Sequence, residues 1–185
     1  LQGSFNTAST KISYDKHNTS VIAPYDFDDD GDTDLFIGSR SIPGLYGPNP
    51  ENLLLENDGK GNFTNVTDRK AYDIKNIGLI TDALWEDIDG DGRKDLIVTG
   101  DWMGTHLFKN NGKRLAPMPG NMESQTGWWK AVKAADFNQD GLPDLVLGNF
   151  GLNAPYLGSK DKPLKIYIHD FDNNGTIEQV MTYQE

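Results

Sequence analysis

Four short runs of this sequence gather carboxylates at alternate positions around a glycine. Asp26-Phe27-Asp28-Asp29-Asp30-Gly31-Asp32-Thr33-Asp34-Leu35 places six aspartates within nine residues. The pattern returns in Asp87-Ile88-Asp89-Gly90-Asp91-Gly92-Arg93-Lys94-Asp95-Leu96 and in Asp136-Phe137-Asn138-Gln139-Asp140-Gly141-Leu142-Pro143-Asp144-Leu145. A fourth copy is Asp170-Phe171-Asp172-Asn173-Asn174-Gly175-Thr176-Ile177-Glu178-Gln179. So many negative groups in one turn repel each other unless a cation lies among them. Acids at alternate positions, glycine at the sixth and an acid at the ninth suit a hard ion with many oxygen ligands. Calcium takes about 6 to 8 of them. Up to four Ca²⁺ ions are therefore expected, one per loop.

The candidate ligands follow from position. In loop one, Asp26, Asp28, Asp30 and Asp34 offer side chains and Asp32 its carbonyl, while Asp29 is expected to be a solvated bystander. In loop two the set is Asp87, Asp89, Asp91 and Asp95, with the Arg93 carbonyl. In loop three it is Asp136, Asn138, Asp140 and Asp144, with the Leu142 carbonyl. In loop four it is Asp170, Asp172, Asn174 and Glu178, with the Thr176 carbonyl. Loops three and four each exchange one acid for an amide, and fewer negative ligands weaken calcium binding. The plainer alternative is an acidic, solvated turn without metal.

An EF-hand loop would close on a glutamate at position twelve and run into helices. Position twelve here is Ile37, Val98, Leu147 and Met181, none of which can ligate. The flanks are short apolar runs rich in β-formers. The chain is thus expected to wrap each ion inside a strand–loop–strand turn. Glycine at position six allows the reversal, and the leucine at position ten (Leu35, Leu96, Leu145) drops into the core.

The strands that must position these loops can be read in order. Val21–Tyr25 enters loop one and Leu35–Gly38 leaves it. Residues 41–51 form an irregular insertion. Asn52–Glu56 is a third strand, Asn57–Gly61 a hairpin turn, and Phe63–Thr67 a fourth strand. One or two helical turns are expected within 68–76. Ala83–Trp85, Leu96–Gly100, Thr105–Phe108 and a short strand from Arg114 repeat the order. Trp128–Val132 and Leu145–Gly148 flank loop three, and Leu164–Ile168 and Val180–Tyr183 flank loop four. The loops start at 26, 87, 136 and 170, so the steps shrink from 61 to 49 to 34 residues. The last step is too short for a full four-stranded unit. Residues 1–18 are a polar lead-in.

Composition narrows the function classes. Net charge is −11, which excludes nucleic acid as a partner. There is no cysteine, hence no disulfide, thiolate metal site or cysteine nucleophile. No apolar run approaches the roughly 18 residues of a membrane span, so no membrane insertion is expected. The chain begins at Leu1 rather than Met, as expected of a segment cut from a longer protein. Three scattered histidines (His17, His106, His169) and the lack of any HExxH, GxSxG or P-loop pattern give no catalytic constellation. His169 is expected to pack beside loop four. Trp102, Trp128, Trp129 and Tyr156 lie near strand ends, where aromatics either pack between units or stack on sugar rings and anchor protein partners.

The Asp-x-Asp-x-Asp-Gly-x-x-Asp-Leu runs, followed by Phe36-Ile37-Gly38, Val98-Thr99-Gly100 and Leu147-Gly148-Asn149-Phe150-Gly151, resemble the FG-GAP/VCBS repeat of integrin-α-like β-propellers. Leu54-Leu55-Glu56-Asn57-Asp58-Gly59-Lys60-Gly61-Asn62-Phe63 and Leu107-Phe108-Lys109-Asn110-Asn111-Gly112 share the style. Within that family the sequence is most similar to bacterial VCBS-repeat proteins that also carry ASPIC/UnbV-type domains. The resemblance implies an all-β fold of about three four-stranded antiparallel blades, with calcium loops between strands. The blade units fall at approximately 19–68, 79–118 and 126–185 of a single segment, 1–185. A propeller typically closes with about 4 to 8 blades, so further blades or a second chain are expected to complete it. The implied role is a non-enzymatic binding or adhesion module for a protein or carbohydrate ligand, in an extracellular, cell-surface or periplasmic setting. A carbohydrate-active lyase or hydrolase on the same scaffold is the alternative.

Overall fold

A computed structural model describes residues 16–154, 156 and 158–183. Most of the expected lead-in, residues 1–15, lies outside the described residues. The described chain is almost wholly antiparallel β-structure. The first blade pairs β1 (Asn18–Tyr25), β2 (Asp34–Ser41), β3 (Leu53–Asn57) and β4 (Phe63–Asn65) in chain order. The second repeats this with β5 (Leu79–Glu86), β6 (Asp95–Met103), β7 (His106–Asn110) and β8 (Leu115–Met118). Between them lie the helical turns that the sequence suggested, as helix α1 (Thr67–Lys70) and a 3₁₀ turn over Tyr72–Ile74.

The resemblance implied a third four-stranded blade over 126–185, although the short last step argued against a full one. This stretch resolves instead as two hairpins, β9 (Gly127–Ala135) with β10 (Asp144–Asn149), and β11 (Lys165–His169) with β12 (Glu178–Thr182). The reason is length. Among the described residues the connection after β10 holds only a 3₁₀ turn, Gly151–Asn153, before β11 starts. Each hairpin is therefore the loop-bearing pair of its own unit.

Blades one and two share one core. Phe27, Phe36, Leu54, Ile80, Leu96 and Val98 are completely buried in a single cluster. Strand β6 is buried along nearly its whole length. It is paired by β5 and β7 on either side and covered on both faces, so it reads as a continuous apolar run rather than an alternating one. Side chains stitch the blades across their faces. The Trp85 indole N–H donates to the Ala23 carbonyl at 3.1 Å, and the Ser20 hydroxyl donates to the Ile80 carbonyl at 2.6 Å.

The C-terminal end of β6 also joins the next unit. Asp101 pairs with Trp128 and Met103 with Gly127 of β9, and the register slips at Trp102. Trp102 is the bulged residue and adopts φ +63°. Near the start of the chain, the loop after β2 meets the last hairpin. Gly47, at φ +109°, sits so close to β11 that an added Cβ would lie 2.5 Å from Ile168 Cδ1.

Candidate metal centres

All four acidic runs adopt the same backbone path between the first two strands of their unit. Glycine at position six takes positive φ in each: Gly31 +95°, Gly92 +89°, Gly141 +89° and Gly175 +87°. Position four does the same, through Asp29 at +58°, Gly90 at +72°, Gln139 at +63° and Asn173 at +58°. Sequence reasoning missed this second left-handed residue. The signal was present, since Asp, Asn and Gly are the residues that tolerate it.

The hydrogen bonds repeat as closely. The carboxylate at position one accepts the amides of positions five and six. Asp26 takes Asp30 and Gly31 at 3.2 and 3.0 Å, and Asp136 takes Asp140 and Gly141 at 3.2 and 2.9 Å. Asp87 and Asp170 do likewise with Asp91 and Gly92, and with Asn174 and Gly175. Position five accepts the amide of position seven in every loop. The acid at position nine caps position two in loops one, three and four, where Asp34, Asp144 and Glu178 accept the amides of Phe27, Phe137 and Phe171.

In three loops the acids at positions one, three and nine converge. Asp26, Asp28 and Asp34 each offer an oxygen within 4.8 Å of the others, as do Asp87, Asp89 and Asp95, and Asp170, Asp172 and Glu178. Loop three, with Asn138 at position three, brings together no such acidic trio among the described residues. Asp30, Asp32, Asp91, Arg93, Asp140, Leu142, Asn174 and Thr176 sit on the same loops, where Asp30 and Asn174 are exposed and Asp32 is half-buried.

Burial separates the loops. Asp34 and Asp95 are fully buried, whereas Asp144 and Glu178 are only partly so. Each buried acid is tied to the third strand of its blade. Asp34 accepts the Asn57 amide and Asp95 the Asn110 amide, both at 2.8 Å. Burial nevertheless pushes the Asp34 carboxyl up to about 6, against the pull of the Asn57 and Phe27 amides. Burial likewise raises Asp95, opposed by the Asn110 amide and Lys109. Among the described residues three buried carboxylate oxygens have no hydrogen-bond partner; Glu56 Oε2 is ion-paired with Lys70, which leaves Asp28 Oδ1 in loop one and Asp95 Oδ2 in loop two. A buried carboxylate oxygen left alone is costly. A hard cation inside each trio would satisfy both, so the donor set fits calcium best in these two loops.

Basic side chains partly balance the same acids. Lys70 reaches Asp28 at 2.8 Å and Glu56 at 2.6 Å. Lys109 pairs with Asp89 and, at 2.6 Å, with Asp91, and lies 3.9 Å from Asp95. Asp29 is exposed, as expected of a solvated residue, but it is not without a partner. It pairs with Arg93, so loop one and loop two are joined by an ion pair between blades.

The position-ten leucines fill the core unequally. Leu96 is fully buried, but Leu35 and Leu145 are only half-buried, and loop one is anchored instead by Phe27 at position two. Of the aromatics, Trp128 packs edge-on against Trp102 at 5.1 Å between ring centres, and Trp129 donates to the Gln125 carbonyl at 2.9 Å. Tyr156 stacks at 5.0 Å on Tyr183, and His169 packs edge-on to Phe171.

A family model for the FG-GAP-like repeat matches residues 26–98 and again residues 87–147. Each match starts at the first aspartate of one loop and ends at position twelve of the next, so the repeat frame coincides with the loop-to-loop spacing. No curated protein matches the chain. Among the described residues, no helix is long and apolar enough to cross a membrane.

Proposed function

Because this chain belongs to the FG-GAP-like repeat family, we propose that it is a calcium-stabilised β-propeller segment serving as an exported binding or adhesion module. The observation that carries the calcium reading is the pair of orphaned buried oxygens, Asp28 Oδ1 and Asp95 Oδ2, each within a converging acidic trio. The ion's task in this reading is structural. It neutralises carboxylates that the fold forces together, so binding and folding are coupled. The exported setting is supported by the repeat type and by the resemblance to bacterial VCBS proteins with ASPIC/UnbV-type domains. A protein or glycan is the ligand class, and further blades or a second chain complete the ring.

A thermal melt in calcium and in EDTA tests this. A site at a hundredfold excess of ion over its Kd adds about 2.7 kcal/mol, which is about 5 to 11 °C in Tm for a chain of this size. Equal melting temperatures in the two buffers would remove the calcium reading.

A further inference from the structure

A cleft of about 1020 Å³ opens between the β9–β10 hairpin, the connection that follows it and β11. Its walls are unusual for this chain. Lys160 and Lys165 line it, yet among the described residues no aspartate or glutamate does, in a protein of net charge −11. Gln125 and Asn149 add side-chain amides, and Tyr156 and Tyr167 add rings.

The inner corner is built by Trp102 and Trp128, whose rings meet at 85°. Trp102 is held there against its own backbone preference. It is the bulged residue of the β6–β9 seam, at φ +63°. Bulges re-aim side chains, and strain of this kind gathers at functional sites. Its indole N–H donates to the Tyr46 hydroxyl at 3.0 Å, and that hydroxyl donates to Asp101 at 3.3 Å. Asp101 is buried and tied to Arg40 at 2.7 Å and to Lys130. Blade one, blade two and β9 thus each supply a group that fixes the direction of one ring. A stacked aromatic corner with amides and hydroxyls nearby matches the CH faces and diols of a sugar. The unopposed lysines add a demand for negative charge.

We propose that this cleft binds an acidic oligosaccharide, with a pyranose ring packed on the Trp102–Trp128 corner and a uronate-type carboxylate paired with Lys160 or Lys165. The proposal deepens the reading of the chain as a binding module and rests on it.

The probes are hexamers of galacturonate and of mannuronate, with mannohexaose as the neutral control, titrated calorimetrically into the full chain in saturating calcium. At least one acidic hexamer binds and quenches tryptophan fluorescence, and mannohexaose binds about tenfold more weakly or not at all. The double variant K160E/K165E, altered only at exposed positions, loses about tenfold in affinity for the acidic hexamer and melts as the parent does. Trp128→Ala weakens the quench, leaving only the share reported by Trp102. Failure of both acidic hexamers to bind a chain that still melts higher in calcium overturns the proposal and leaves the calcium reading intact. So does acidic-hexamer binding that is indifferent to K160E/K165E, or equal binding of the neutral hexamer. A melt unmoved by EDTA strikes the calcium reading alone.

Discussion

The Asn110 side-chain amide donates to the Phe27 carbonyl at 2.9 Å, joining the end of β7 in blade two to position two of loop one in blade one. The same side chain donates to the Lys94 carbonyl at 3.3 Å and accepts the Gly112 amide at 2.9 Å, all from a buried position. Its counterpart in blade one, Asn57, donates to the Thr33 carbonyl and accepts the Gly61 amide, but among the described residues it reaches no other blade. Asn110→Ala is expected to cost about 2 to 3 kcal/mol, because it strands buried polar groups. Asn57→Ala, at a half-exposed site, costs about 1 kcal/mol or less. Denaturant melts of the two variants decide the point, and equal losses would deny the special role of the bond between blades.

Lys109 occupies the carboxylates that a cation in loop two would need. Lys109→Met removes that internal competitor. In chelator the variant is less stable, since Asp89 and Asp91 face each other unpaired. In calcium, affinity at loop two rises by about threefold to fivefold, the scale of a partly exposed ion pair. Calorimetric titration reads both effects, and an unchanged or weaker calcium affinity refutes the competition.

Gly38 and Gly148 stand at the same place on the second strand of their units, Gly100 lies one residue further along its own, and the three have unequal neighbours. An added Cβ at Gly38 would lie 2.7 Å from side chains of Ile80 and Val21, and one at Gly100 would lie 2.1 Å from the Leu79 carbonyl. At Gly148 the nearest atom would be Ala131 Cβ at 3.5 Å, an ordinary contact. Gly100→Ala is therefore expected to lose about 3 kcal/mol, Gly38→Ala about 1 to 3, and Gly148→Ala less than about 1. Thermal melts that rank them otherwise contradict the packing described for blades one and two.

His106 gives a pH dependence. Burial holds its imidazole below the usual 6.5, against the opposing pull of Glu123. The unfolded chain thus takes up the proton more readily than the folded one. Stability contributed by this group is present above 6.5 and is lost as pH falls from there toward the lower folded value. His106→Gln should lose less stability than the parent between pH 7.5 and 5.5, both compared in calcium by denaturant titration. Equal losses would show that the group does not matter.

The loops were legible because all that defines them lies within nine residues. The spacing of the acids, the position-six glycine and the flanking strands are local facts. Position four needed only a closer reading of Asp29, Gly90 and Asn173. The Asp101 network was not legible at all. Its partners Arg40, Tyr46 and Lys130 lie 61, 55 and 29 residues away in the chain, and nothing in Gly100-Asp101-Trp102 distinguishes a buried hub from a surface acid. The sparse third unit was foreshadowed by the short step from Asp136 to Asp170. Which strands would pair after that step depends on contacts between units that no local pattern encodes.

The β6–β9 seam also sets how the molecule carries load. A pull on β10 passes through an unbroken backbone ladder to β9, β6, β7 and β8. Its narrowest point is the pair of rungs Asp101–Trp128 and Met103–Gly127, where the β9–β10 ladder has six. Force applied across the strands reaches those two rungs first, braced by the Asp101–Lys130 ion pair beside them and by Lys133–Asp82 between β9 and β5. In single-molecule pulling, the seam is the mechanical fuse: it yields while blades one and two remain folded.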